Sequence, residues 1–377
     1  MTTAPLGLGL IGAGDFGAFC LDAYREMADV AVVAVADADA SRAARIAPPG
    51  ATVYADYAAL LANPAVEAVH IATPPAAHGR MAREGAEAGK HLFVEKPLAL
   101  TLEEGQAAVR AARDAGVKLS VNYVLRHHPL HRLALAIVAG GALGPAQQFA
   151  LENFAADDNL PPEHWFWDPA LSGGIHVEHG VHFFDLCNQV AGRPPGAISG
   201  CVQQRPDGRV DRVSATVRYG DQLLATFYHS FNQIGRFERT VIRIGCARGQ
   251  LVVEGWIPTR LTLDGVVDEE GLRMLRDQLG DRLEVQESFS GAGATFRHSG
   301  HTEHLAAAVH ATAVQPDRQQ AYKRAIQDGL RDLVAATQQD RPPLVGPADA
   351  LLSLAVAAAA SRADSCGRPF EPSGLLP

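Results

Sequence analysis

Apolar and polar positions follow two regimes along the chain. In the first third, short solid apolar runs are separated by segments of helical periodicity. Leu6–Ile11 and Val30–Ala36 read as strands, as do Ala68–Ala72, His91–Val94 and Lys118–Val121. Asp15–Ala28, the stretch from Ser41 to Ile46, Ala76–Ala88 and Thr101–Ala115 read as helices. Strand–helix alternation at this spacing predicts a parallel, doubly wound sheet. After about Asn122 the regime changes. Gln147–Phe154, Ala197–Gln204, Arg212–Tyr219, Leu223–Phe231, Thr240–Cys246 and Gln250–Glu254 read as strands, some joined only by turns such as Tyr219-Gly220-Asp221 and Arg248-Gly249. That predicts a largely antiparallel sheet, open and carrying helices on one face. Asp268–His304 is polar and poorly periodic and receives no element. Two helical segments close the chain, near Asp317–Gln338 and Pro347–Asp364. No repeat or low-complexity linker interrupts it, and Pro48-Pro49 and Pro161-Pro162 read as loop punctuation.

A chain of 377 residues with 47% apolar content suits two ordinary domains with buried cores. The change of regime places the boundary at 1–123 and 124–377, with the last helices packing back on the first domain. A formal charge of −9 and scattered basic residues argue against nucleic acid and favour a small-molecule partner. The first residues lack a basic n-region, and the Ala-rich run Leu351–Ala360 is too short for a bilayer, so no signal peptide or membrane span is expected. Cys20, Cys187, Cys201, Cys246 and Cys366 are few, widely spaced and free of CxxC, which fits a reducing cytoplasm.

Four motifs carry chemistry. Gly12-Ala13-Gly14-Asp15-Phe16-Gly17 follows the first strand and opens the first helix. Its glycines allow a tight turn and close approach to a pyrophosphate, and the helix start offers free N–H groups. Asp37, ending the second strand twenty positions beyond Gly17, would bond a ribose and repel a 2′-phosphate. The pattern implies a dinucleotide, NAD(H) in preference to NADP(H), with Arg42 as the residue able to accept a phosphate. The segment Ile71–His78 closes a strand at the cofactor edge; Thr73 and Pro74 are cofactor candidates. His78 stays open between cofactor contact and a helix-terminal ring.

Glu95-Lys96-Pro97 follows the apolar run Leu92-Phe93-Val94, so Lys96 points at the cofactor cleft, where an ammonium can polarise a substrate oxygen. The sequence leaves cis or trans open at Pro97. The stretch Ser172–Asp185 enters a helix through paired glycines. At α-helical spacing, Glu178, His182 and Asp185 share one face. A histidine beside a carboxylate can carry the proton that must leave with a hydride, so Glu178 is read as orienting His182, with a structural histidine–carboxylate pair as the alternative.

These motifs, with the stretch GKHLFVEKPLALTLEE, the DPALSGG segment and the closing helix before Gly367-Arg368-Pro369, resemble the Gfo/Idh/MocA oxidoreductases, named for glucose–fructose oxidoreductase, inositol dehydrogenase and a rhizopine-catabolism protein. The resemblance runs over nearly the whole chain. It implies an α/β fold: an N-terminal Rossmann doubly wound parallel sheet, then an α/β domain with an open, largely antiparallel sheet that presents substrate and mediates a homo-oligomer, dimer or tetramer. It also implies Lys96 and His182 as the catalytic pair, and sugars, inositols, other polyols or their keto forms as substrates. The family's helix has Asp four residues before the histidine, where this chain has Glu178, and His176 stands where an aliphatic residue is common.

The expected function is hydride transfer between a nicotinamide cofactor and a carbinol or carbonyl of a polyhydroxylated small molecule. Two alternatives stand beside it. One is a redox- or metal-assisted glycoside hydrolase or lyase using Glu178, His179 and His182, since some relatives use bound NAD transiently to cleave glycosides; no standard metal signature accompanies these residues. The other is a non-catalytic dinucleotide-binding protein, which Lys96 and His182 together argue against. Tyr123, Arg126, His176, His179 and His229 are candidates for the substrate cleft. Trp165, Phe166 and Trp167 read as packing. His298, His301 and His304, spaced by three, read as a solvated loop and helix start rather than a ligand set.

Overall fold

The computed structural model describes residues 4–366. Gly367, Arg368 and Pro369 of the closing motif lie outside the described residues. The chain first lays down β1 (Leu6–Ile11), α1 (Asp15–Tyr24), β2 (Val30–Ala36), α2 (Ala40–Ile46), β3 (Thr52–Tyr54), α3 (Tyr57–Leu61), β4 (Ala68–Ile71), α4 (His78–Glu87), β5 (His91–Val94), α5 (Leu102–Asp114) and β6 (Leu119–Val121). The six strands form a parallel sheet in the order β3-β2-β1-β4-β5-β6. Every residue of β1 and β4 is buried, which is why these strands read as solid apolar runs: helices cover both faces. The strand order reverses between β1 and β4, and ligands of such sheets bind in the crevice at the carboxyl ends there.

The second half contains α6 (Pro129–Gly140), β7 (Ala146–Ala156), α7 (Pro169–Ser172), a π-helical turn (His176–Gly180), α8 (Val181–Ala191), β8 (Ile198–Gln204), β9 (Val210–Tyr219), β10 (Leu223–Gln233), β11 (Arg239–Cys246), β12 (Gly249–Glu254), β13 (Arg260–Val267), α9 (Glu269–Leu279), β14 (Leu283–Ser288), β15 (Thr295–His298), β16 (His301–His304), β17 (Ala307–Val314), α10 (Arg318–Gln338) and α11 (Pro347–Cys366). Nine strands form one mixed sheet in the order β14-β17-β13-β12-β11-β7-β10-β9-β8; only β7 and β10 pair in parallel. Along β9 and β17 buried positions alternate with more exposed ones, the mark of a sheet packed on one face. Phe184 of α8 packs on Phe227 of β10 at 4.7 Å between ring centroids.

The last helices return to the first sheet. Lys323 of α10 pairs with Asp22 and Glu26 of α1 at 2.9 and 2.6 Å, and Gln327 donates to the Ala23 carbonyl at 2.8 Å. Leu351 of α11 packs against Gly105 of α5, where a Cβ would come within 3.1 Å of it.

Several elements escaped the sequence pattern. The polar stretch Asp268–His304 holds α9, β14 and the β15–β16 hairpin. Thus His298, His301 and His304 lie on strands, correcting their reading as a loop and helix start. β14 is exposed along almost its whole length, so hydrophobic alternation was absent to betray it. β3 and α3 are three and five residues long, too short for a periodic signal. α6, β13 and β17 were also unassigned. α1 ends at Tyr24, four residues before the expected Ala28.

His127, His128 and His131 are buried around the start of α6. Burial holds their pKa values down, to about 4, about 4 and about 3 respectively. In the unfolded chain these rings titrate near their ordinary value of about 6.5. The unfolded state therefore binds more protons below that pH, so their contribution is full above about pH 6.5 and is lost as the pH falls. Asp185, raised to about 7 chiefly by burial, acts in the opposite direction over the same window, but the buried histidines outnumber it. The urea midpoint of unfolding is expected to fall from pH 7 to pH 4, more shallowly in His131→Leu; an equally steep fall in both would remove His131 from the account.

Candidate functional site

A cavity of about 500 Å³ opens at the carboxyl ends of β1, β4 and β5, between the two sheets. Its floor is the turn after β1. Gly12 has φ of +103°, and a Cβ there would lie 2.6 Å from the Ala72 carbonyl oxygen, so only glycine is accommodated. Gly14 faces open space, and Gly17 packs on the Gly12 carbonyl, holding α1 tight against the strand. Gly12, Gly14, Asp15 and Phe16 line the cavity at the α1 N-terminus. This cradle suits a pyrophosphate approaching backbone amides. Asp37, at the far rim, accepts from the Ala13 amide at 2.7 Å and from the Asp39 amide at 2.9 Å, which fixes its carboxylate. Arg42 also lines the rim and pairs with Asp39 at 3.4 Å.

Thr73, Pro74 and His78 form the adjoining wall. His78 has one ring nitrogen 2.7 Å from the Pro97 carbonyl and the other 2.7 Å from that of Thr73, bracing two loops together. Burial holds its pKa below the ordinary value. A neutral ring can donate to only one of these carbonyls, so its polar capacity is directed at the protein.

Glu95 and Lys96 reach the cavity from the end of β5, where the Lys96–Pro97 peptide is cis. Asn122 Nδ2 donates to Glu95 Oε1 at 2.6 Å, His70 Nε2 lies 3.1 Å from the same oxygen, and the Tyr24 hydroxyl lies 3.0 Å from His70 Nδ1. One neutral tautomer of His70 satisfies the chain: Tyr24 donates to Nδ1 and Nε2 donates to the carboxylate. Cys20, His70 and Glu95 also lie close enough together to hold a metal ion, although these hydrogen bonds already engage His70 and Glu95.

The opposite wall comes from the second half of the chain. Lys96 Nζ donates to the Glu178 carboxylate and, at 3.0 Å, to the Glu178 backbone carbonyl. Burial works against a charged Glu178, yet Lys96 and His179 hold its pKa below the ordinary value. Glu178 therefore partners Lys96, correcting the expectation that it orients His182. The reason is local: residues 176–180 form a π-turn, and its wider winding breaks the four-residue alignment that an α-helix would give. Asp185 is likewise engaged elsewhere, with Arg126 at 3.1 Å.

His182 lines the cavity, its Nδ1 buried and without a hydrogen-bond partner. Burial first, then Lys96 and His179, push its pKa well below the ordinary value, so the ring is neutral. Its ring stands edge-on to Trp256 at 4.9 Å and to Tyr123 at 6.0 Å. Trp256, His164, Trp165 and Tyr322 also line the cavity, and the sequence reading gave none of them a role there. Trp256 sits in a loop after β12 with no motif around it; Trp165 was recognisable only as one of an aromatic trio. A second cavity of about 350 Å³ shares Trp256 with the first and is lined in part by Asn153 and His179.

The remaining substrate candidates sit behind the wall, a correction to their placement in the cleft. Tyr123 and His229 are fully buried. Arg126 is committed to Asp185 and to the Leu344 carbonyl, and His176 lies 3.4 Å from Ser361 Oγ. The ligand atoms of Glu178, His179 and His182 are not drawn into a metal-holding group among the described residues.

Comparison with known proteins agrees with the fold. Residues 6–123 match a family model described as an oxidoreductase family with an NAD-binding Rossmann fold, and residues 131–252 match the GFO/IDH/MocA C-terminal domain. A scyllo-inositol 2-dehydrogenase (NAD(+)) of Bacillus subtilis (strain 168) is 26% identical over 312 residues, covering 83% of this chain and 79% of that protein. A 1,5-anhydro-D-fructose reductase of Ensifer adhaerens is 33% identical over 199 residues, covering 51% and 58%. An oxidoreductase from Agrobacterium radiobacter, solved in complex with NAD+, L-tartaric acid and magnesium, superposes with a TM-score of 0.78 at 18% identity, over 99% of this chain and 100% of its own. Among the described residues no helix is long and apolar enough to cross a membrane.

Proposed function

This chain belongs to the Gfo/Idh/MocA oxidoreductases, and from that premise we propose that it moves a hydride between NAD(H) and a secondary carbinol or the matching carbonyl of a sugar, inositol or related polyol. The observation that carries the reading is the state of Lys96. An ammonium has three donors, and Glu178 takes two of them, which leaves the third for a substrate oxygen in the cavity. The relatives that act on inositol and anhydrofructose support the same substrate class.

Residues that would hold the cofactor are the Gly12–Gly17 turn at the pyrophosphate and Asp37 at the adenosine ribose. Thr73, Pro74, Glu95 and Lys96, which line the same cavity, would face the cofactor's nicotinamide end. Bound there, the cofactor supplies a hydride acceptor or donor. The chain's own residues manage the proton. Lys96 hydrogen-bonds the reacting oxygen and stabilises negative charge on it as its proton departs. Glu178 fixes the ammonium, so little reorganisation is needed during reaction. Neutral His182 is in the state that accepts a proton, and its low pKa favours giving it up again. Trp256 and Trp165 offer flat apolar faces to a sugar ring. The mixed nine-stranded sheet, where buried positions alternate with more exposed ones along β9 and β17, offers its more exposed face to a second copy of the chain.

The anchoring of Asp37 by two backbone amides supports NAD(H) over NADP(H), because a fixed carboxylate cannot turn away from a 2′-phosphate. Titration of both cofactors is expected to give on the order of tenfold or greater preference for NAD(H), narrowed in Asp37→Ser. Tighter NADP(H) binding would transfer control of the rim to Arg42.

A screen of polyols and sugars that follows reduced-nicotinamide absorbance identifies the substrate. With that substrate, Lys96→Ala and His182→Asn are each expected to lose on the order of a hundredfold or more in kcat while cofactor Kd stays nearly constant. Wild-type turnover in either variant would remove that residue from the chemistry.

A further inference from the structure

The β15–β16 hairpin forms a separate two-stranded sheet between β14 and β17 in the chain and carries chemistry the proposed reaction does not use. Its two-residue turn, Ser299-Gly300, has φ of 48° and 80°, both positive, as a tight hairpin turn demands. That turn makes His298 and His301 the closing cross-strand pair, their ring centroids 4.7 Å apart. Glu303 follows His301 by two residues and so projects on the same face. Its Oε1 lies 3.3 Å from His298 Nε2 and 3.0 Å from His301 Nε2.

These spacings have a physical meaning. In a tetrahedral zinc site with bonds of about 2.0–2.1 Å, neighbouring ligand atoms stand about 3.4 Å apart. The orientation of His301 adds a second constraint. Its Nδ1 faces the Ser299 carbonyl at 3.2 Å, and a carbonyl only accepts, so Nδ1 carries the hydrogen. The neutral ring then presents a bare lone pair at Nε2 toward a carboxylate oxygen. Two acceptors at that distance require a cation between them, a proton or a metal ion. A backbone carbonyl holding the outer nitrogen of a ligating histidine is also the usual device that orients such ligands.

The charge balance favours a cation. Arg248 Nη1 lies 3.4 Å from the other oxygen of Glu303, but Asp268 meets the same nitrogen at 2.8 Å. Two carboxylates against one guanidinium leave an excess of negative charge beside the two imidazoles. Phe289 packs on Phe296 of β15 at 4.9 Å and ties the hairpin to the segment before it.

We propose that His298, His301 and Glu303 form a zinc site that clips the hairpin, with water completing the tetrahedron. Two imidazoles and one carboxylate are a zinc donor set, and an incomplete protein shell keeps one position open. The site does not rest on the oxidoreductase reading, and zinc there takes no part in hydride transfer.

The test is zinc titration by calorimetry of untagged, chelator-treated full-length protein, with cobalt(II) as a spectroscopic substitute. Wild type is expected to bind one zinc per chain, to gain thermal stability from it, and to give the visible absorption of tetrahedral cobalt. His301→Ala and the more conservative His301→Gln are expected to lose the site, and Glu303→Gln to weaken it on the order of tenfold or more. Far-UV circular dichroism checks that each variant keeps its fold. Absence of saturable zinc binding by wild type would overturn the proposal and leave histidinium–carboxylate pairs. Binding that survives both His301 variants but is lost in Cys20→Ser would also overturn it, moving the ion to the buried Cys20, His70 and Glu95 group.

Discussion

The contact between Lys96 and Glu178 joins residues 82 positions apart in sequence and ties the carboxyl end of β5 to the π-turn before α8. One partner belongs to the parallel sheet and the other to the second half of the chain, so the site exists only where the two meet. Both side chains are largely buried, at 17% and 10% exposure. A buried ion pair is weak evidence for stability, because desolvation offsets the attraction. Its value here is positional. A long, flexible amine is held in one place by two acceptors, with a third donor direction left over.

The surroundings of that pair are arranged to keep other charges quiet. His182 and His78 are buried on the cavity wall with pKa values held below the ordinary range, so both rings are neutral there. On the far side, the chain from Tyr24 through His70 to Glu95 leaves a carboxylate accepting from His70 and Asn122. Lys96 and Glu178 offset each other's charge, and Glu95 lines the same cavity beside them.

Much of this was legible in sequence. Glycines at 12, 14 and 17 between a solid apolar run and a helix, with Asp37 closing the next strand, specify a backbone cradle wherever they occur in that order. Lys96 was legible because a strand end in a parallel sheet points at the ligand crevice. The role of Glu178 was not. Four-residue spacing predicts alignment with His182 on an α-helix, and no local residue announces a π-turn. The aromatic wall was hidden for another reason: Trp256 and Tyr322 arrive from distant elements, and contacts of that range leave no periodic trace. The hairpin bearing His298 and His301 was missed because its strands are four residues each and mostly exposed.

The central claim is that Lys96 and Glu178 act as one unit. A double-mutant cycle on kcat with the identified substrate tests it directly, using Lys96→Met, Glu178→Leu and the double variant. Residues that work together give non-additive losses. The account therefore expects the double variant to be no slower than the worse single variant. Losses that multiply would mean the two residues contribute independently, and the pair would be an incidental contact rather than the device that aims the lysine.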